Sequence, residues 1–312
     1  MFDIATSKEF KDIVNDFNIK QFDKAIGKLK KFSIIYPNEY YIVKLFASIY
    51  LKKSEWNNAI KYYEKLIVFN KEKFKIYNNL GLIFFKLGKI NKSIDNFKKS
   101  INDLPNLTAY NNLGLAYNEI GKYSDAIKNY LAALDLDKNN YQSKKNLIKI
   151  LTFYQPTNFK KNSIIELNKR ISEIYKEVQT ENLNNPKEIK KILIASNNII
   201  KSYETNFVLD ETEIFRRNSK NLNCTRHFKI FNEFNIIPKY CFSCYKVQIT
   251  LLNVLDLIKL YFIFNNLYLE NNNIRKCMIE MRNNIKGNYK GYVYCEGLDE
   301  AKIILYKINK II

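Results

Sequence analysis

The residues able to do chemistry crowd toward one end of the chain. All five cysteines, Cys224, Cys241, Cys244, Cys277 and Cys295, lie beyond residue 220 of 312, as does the only histidine, His227. Two residues separate Cys224 from His227, thirteen follow, and two separate Cys241 from Cys244. Two ligand pairs around a short element are what a tetrahedral zinc site needs, so zinc held by Cys224, His227, Cys241 and Cys244 is one expectation. Zinc knuckles usually carry Gly or Pro beside the ligands, and CFSC has neither, while HFKIFNEF between the pairs has the spacing of an amphipathic helix. The same cysteines admit two other readings, a working thiol pair or small buried hydrophobes. A thioredoxin-like pair follows a strand, whereas here the strand-like YKVQIT comes after CxxC. Cys277 and Cys295 sit in two further strand-like runs, RKCMIEM and YKGYVYC, and register decides whether their thiols face each other.

Arginine is the second signal. The chain uses Lys by default and has only six Arg, at 170, 216, 217, 226, 275 and 282. A guanidinium makes planar, bidentate contacts to carboxylate or phosphate that Lys does not reproduce, which marks Arg226, Arg275 and Arg282, together with Tyr292, as candidates for an anion or nucleic-acid site. The run KGYVYC, residues 290–295, resembles an RNA-recognition-motif strand, in which a basic residue, Gly and aromatics present rings to bases. It lacks the second Gly and the final aromatic of that motif, and ordinary strand packing of Tyr292 and Tyr294 is the alternative. The net charge of +20 does not decide the matter, because Lys+Arg exceed Asp+Glu by 26 to 15 in residues 1–156, 12 to 9 in 157–220 and 13 to 7 in 221–312. An excess spread so evenly reads as lysine on solvated faces. One histidine, no phosphate-cradling glycine loop and no nucleophile turn leave no catalytic constellation to assemble, so a non-enzyme is expected, with a thiol- or metal-dependent enzyme built on Cys244 and His227 as the alternative.

The elements that must position these residues are mostly helices. With 46% hydrophobic residues, only 8 Gly and 5 Pro, the chain is long enough for more than one domain and poor in helix breakers. IYNNLGLIFFKLGKINKSIDNFKKSINDLP is followed one period later, near 34 residues, by AYNNLGLAYNEIGKYSDAIKNYLAALDLD. This resembles the tetratricopeptide repeat: its signature positions fall on Tyr77, Leu80, Gly81, Phe84, Gly88, Ser93, Phe97 and Ser100, then on Tyr110, Leu113, Gly114, Tyr117, Gly121, Ala126, Tyr130 and Ala133. Gly and small residues let the two helices of a hairpin approach, aromatics fill the seam between hairpins, and Gly88 and Gly121 suit a turn of positive φ. A less regular repeat spans about 40–73, with Ser54 where the turn glycine belongs. A degenerate unit covers about 8–39, and 141–153 reads as a closing helix.

The resemblance implies that the first helices line a concave groove that binds a protein or an extended peptide. Asn79, Asn112 and Asn146 share one repeat position there. In the O-linked glycosyltransferases, Asn at this position forms a ladder that grips a peptide backbone, and an amide that both donates and accepts suits that task. Leu45 breaks the row in the second repeat. Beyond the repeats, SIIELNKRISEIYKEV and EIKKILIASNNIIKSY have helical spacing, and the order after Tyr245 reads strand, helix, strand, strand, helix, with no fourth strand evident. The expectation is therefore an α+β multidomain chain: an all-α solenoid over 1–153, a helical extension and linker over 154–220, and a small βαββα domain over 221–312. The start MFDIATSKEFKD lacks the basic-then-apolar run of a signal peptide, and Asn253, Asp256 and Lys259 interrupt the greasiest stretch, so a cytoplasmic protein without a membrane partner is expected. Its expected role is an adaptor, with RNA binding through the C-terminal domain as the alternative.

Overall fold

The computed structural model describes residues 4–152, 154–157, 162–176, 185–203, 213–217, 230–231, 233–236, 244–281 and 285–311. The chain forms two compact units that divide at Asn146 and Leu147. The first holds α1 (Lys8–Asn18), α2 (Phe22–Ile35), α3 (Tyr40–Lys52), α4 (Trp56–Ile67), α5 (Lys73–Lys86), α6 (Ile90–Asp103), α7 (Leu107–Glu119) and α8 (Tyr123–Leu136), and the division falls inside α9 (Tyr141–Leu151).

Four hairpins repeat one turn. Lys20, Ser54, Gly88 and Gly121 all take positive φ, at 62°, 59°, 74° and 74°. In each, the next residue donates its backbone N–H five residues back: Gln21 to Asp16 at 2.8 Å, and Glu55 to Tyr50, Lys89 to Phe84 and Lys122 to Tyr117 at 2.9 Å. A left-handed residue closed by a six-to-one bond satisfies carbonyls that the ending helix leaves open. The unit read as degenerate over 8–39 is thus a full hairpin, with Lys20 where Gly is usual.

Hairpin packing follows from residue size. A Cβ on Gly81 would lie 2.5 Å from Phe97 Cε1, and one on Gly114 would lie 2.5 Å from Tyr130 Cε1. Ala25, Ala59, Ser93 and Ala126, one per hairpin, are fully buried, and Ser93 Oγ satisfies itself by donating to Gly81 O at 2.8 Å. Gly81 and Gly114 leave room for the Phe97 and Tyr130 rings to pack close to the facing helix, where dispersion contacts are dense.

The second unit contains α10 (Ser163–Lys176) and α11 (Pro186–Lys201), then β1 (Glu213–Arg217), β2 (Tyr245–Leu251), α12 (Val254–Asn266), β3 (Arg275–Ile279), β4 (Tyr289–Cys295) and α13 (Leu298–Asn309). The strand-helix-strand-strand-helix order after Tyr245 is present, and one strand more. β1 pairs antiparallel with β3, giving a four-stranded sheet of order β1-β3-β4-β2. The sequence hid it because EIFRR is five residues long with only Ile214 and Phe215 apolar, too few to show a period of two. Val247, Cys277, Val293 and Cys295 turn one face of the sheet toward Leu257, Leu260 and Phe264 of α12 and Ile304 and Ile308 of α13, forming the core. Gly291 is required there, since a Cβ would collide with Leu260. α11 joins α12 through Ile189 against Phe262. Among the described residues no helix is long and apolar enough to cross a membrane.

Candidate functional site

Each of Asn79, Asn112 and Asn146 is tied to the preceding repeat. Asn79 lies with Ser48 at the hydroxyl of Tyr63, a phenol that burial pushes up to about 12. Asn112 Nδ2 donates to Asn78 Oδ1 at 3.0 Å. Asn146 Nδ2 donates to Asn111 Oδ1 at 3.0 Å, and its own oxygen accepts from Gln142 at 3.0 Å. The sequence named one amide per repeat. The structure adds a second, because Asn78 and Asn111, each one residue earlier, accept from the row. Asn111 and Asn146 are buried, whereas Asn78, Asn79 and Asn112 are half-buried on the face of the first helices. An amide has two donors and two acceptor sites, so one bond between repeats leaves Asn112 capacity to meet a peptide group.

Beside that face stands a compact charge cluster. Glu72, which has φ 48°, accepts from Lys44 Nζ at 2.5 Å, from Tyr40 Oη at 2.7 Å and from Lys75. Lys44, then Lys75 and Tyr40, hold its carboxyl at about 2, well below the usual carboxylate range. Burial, helped by that carboxylate, pushes the Tyr40 hydroxyl up. The cluster joins α3 to the start of α5, so charge fixes the spacing of two first helices.

A family model described as TPR repeat matches residues 47–88, and one described as tetratricopeptide repeat matches 108–140. Residues 47–88 and 108–140 are tetratricopeptide repeats. The chain is similar to solved structures: "Crystal structure of MamA" at 22% identity, covering 48% of this chain and 84% of that one with a TM-score of 0.41, and "Arabidopsis OM64 TPR domain" at 24% identity, covering 36% and 93% with a TM-score of 0.34. A third, "First TPR of Spaghetti (RPAP3) bound to HSP90 peptide SRMEEVD", is 23% identical, covers 36% and 89%, and has a TM-score of 0.34. No curated protein matches the chain.

The C-terminal candidates divide. Cys224, His227, Cys241, Arg226 and Arg282 lie outside the described residues. Cys244 is exposed, directly before β2. Among the described residues no group of three or more His, Cys, Asp or Glu converges as a metal site, and zinc stays a proposal resting on spacing. Cys277 and Cys295 are 0% and 4% exposed on the helix side of the sheet; they lie opposite Gly291 and Tyr245, so register does not make them face each other. Burial raises both thiols, Cys295 to about 11, which leaves them protonated and poor nucleophiles. Arg275 is 1% exposed on that same side and donates Nη1 to Leu267 O at 2.6 Å, beyond the end of α12. It lines a cavity of about 290 Å³ with Asn266, Tyr268, Glu270 and Asn272. Its bond to the Leu267 carbonyl just past the end of α12 makes Arg275 an internal tie of the second unit. Tyr292 lies on the opposite side of the sheet.

Proposed function

We propose that this protein is an adaptor whose N-terminal repeats hold an extended segment of a protein partner along the face of the first helices. The observation that carries the reading is the series of half-buried amides, Asn78, Asn79 and Asn112, fixed at repeat spacing by bonds between hairpins. Amides already held in place lose little entropy when they meet a peptide group, which is the advantage of a preorganised site. Backbone recognition of this kind tolerates many side-chain sequences, as an adaptor requires.

The test begins by panning a random peptide library on the full chain and measuring the enriched peptides by fluorescence anisotropy. Asn112→Ala or Asn79→Ala should weaken an enriched peptide about fivefold, equivalent to roughly 1 kcal/mol for a lost hydrogen bond. Methylating the matching peptide nitrogen should weaken wild type and leave the variant unaffected. A library that yields no binder, or binders indifferent to both substitutions, would refute the reading.

A further inference from the structure

Among the described residues, no helix packs on one side of the second unit's sheet. Residues paired across strands share a side. Lys246, Gln248 and Thr250 of β2 therefore lie with Lys290, Tyr292 and Tyr294 of β4, and with Lys276 and Met278 of β3, opposite the face packed on α12 and α13. Gln248, Tyr292 and Lys276 form one cross-strand row, which the backbone register continues to Arg216 on β1.

The chemistry of this side is narrow. Tyr292 and Tyr294 project from an inner strand about 7 Å apart by the rise of two strand residues, and both are partly exposed. Lys246 Nζ stands 5.2 Å from the Tyr294 ring centre, and Lys276 Nζ stands 5.7 Å from that of Tyr292 and 6.0 Å from that of Tyr294. Lys246 and Gln248 are exposed. Lys290, 1% exposed, faces the buried Glu280 at 3.9 Å, and the backbone register sets Glu213 of β1 opposite Met278 at the far edge from Lys246. Two rings flanked by ammonium groups, with an amide beside them, combine stacking surface with positive charge.

We propose that this side of the sheet binds single-stranded nucleic acid, with Tyr292 and Tyr294 stacking on consecutive bases and Lys246 and Lys276 meeting the phosphates on either flank. An acidic peptide would satisfy the lysines and leave the rings idle. A duplex would bury its base faces and satisfy only the charge. The inference is independent of peptide binding by the repeats.

The experiment uses the full chain and fluorescein-labelled 12-nucleotide single-stranded RNA and DNA of mixed sequence, read by anisotropy between about 50 and 200 mM salt. Tyr292→Ala and Tyr294→Ala should each weaken binding roughly tenfold, and Tyr→Phe at either position should restore it. Lys246→Gln and Lys276→Gln should each flatten the dependence of log affinity on log salt by about 0.7. Circular dichroism of each variant separates loss of binding from loss of fold, and the Phe and Gln variants retain the packing volume. Four outcomes would overturn the proposal: no binding at low salt, affinity unmoved by Tyr→Ala, equal affinity for duplex, or equal competition by poly-glutamate. The second would assign binding to the lysines distributed over the whole chain, and the last would make an acidic protein the partner.

Discussion

Two glycines in similar helices should respond unequally to the same substitution. Gly27, in α2, is exposed, and a Cβ there meets nothing within 4 Å. Gly114, in α7, would place its Cβ 2.5, 2.7 and 3.0 Å from Cε1, Cδ1 and Cζ of Tyr130, a residue only 1% exposed. Ordinary carbon contacts are about 3.5–4.0 Å, so α7 and α8 must part by about 1 Å or the ring must leave its rotamer. Both changes to Ala gain about 1 kcal/mol of helix propensity. Overpacking at Gly114 opposes this with about 1–3 kcal/mol. Gly27→Ala should therefore stabilise by about 1 kcal/mol, and Gly114→Ala should range from neutral to about 2 kcal/mol destabilising; the gap between them isolates the clash because propensity cancels. Thermal unfolding followed by circular dichroism reads that gap as several degrees, at roughly 2–4 °C per kcal/mol for a unit of this size. Adding Tyr130→Leu to Gly114→Ala should destabilise less than the sum of the single changes. Equal shifts from both glycines would show that the hairpin does not depend on this close approach.

Ser54 has φ 59° at a turn where later repeats use Gly, so Ser54→Gly should stabilise the solenoid by about 0.5–1 kcal/mol in urea unfolding, and Ser54→Val should destabilise it. Glu72 titrates at about 2 in the folded chain against an ordinary 4.5. A depressed carboxylate contributes stability that is complete above about 4.5 and lost as pH falls toward about 2, and Glu72→Gln should flatten that acid limb in denaturant titrations. Brief alkylation of native, chelator-treated protein should label Cys244 and spare Cys277 and Cys295, as peptide mass spectrometry would show. If Cys224, His227, Cys241 and Cys244 hold zinc, protein purified without chelator carries about one equivalent, and Cys241→Ser removes it.

Legibility followed the kind of interaction. The Gly114–Tyr130 contact was readable because a repeat prints the same steric solution twice, at Gly81 with Phe97 as well. Hairpin one was harder, since Lys20 adopts the turn conformation without the residue that usually announces it. Strand β1 was missed because a five-residue edge has no periodicity to detect, and pairing with β3 is a tertiary event. The asparagine row was visible by spacing, but its bonds to Asn78, Asn111 and Tyr63 depend on the rotation between hairpins, which one-dimensional period does not carry. For Arg275 the residue type suggested a planar contact to an anion, and strand parity turns it toward the helix side of the sheet. Lys246, Lys276 and Tyr294 became neighbours only through the β2-β4-β3 register.

The linked amides have a mechanical consequence. Apolar seams tolerate small sliding motions, because dispersion changes slowly with angle, whereas an amide pair held at 3.0 Å weakens steeply when its geometry is disturbed. The contacts of Asn79 with Tyr63, Asn112 with Asn78 and Asn146 with Asn111 therefore act as successive detents on one side of the stack. Bending the array away from that side must break them in turn, while bending toward it need not. Pulled from its ends, such a stack is stiffer in one direction than in the other, and a segment bound along the amide side would hold it at its resting curvature.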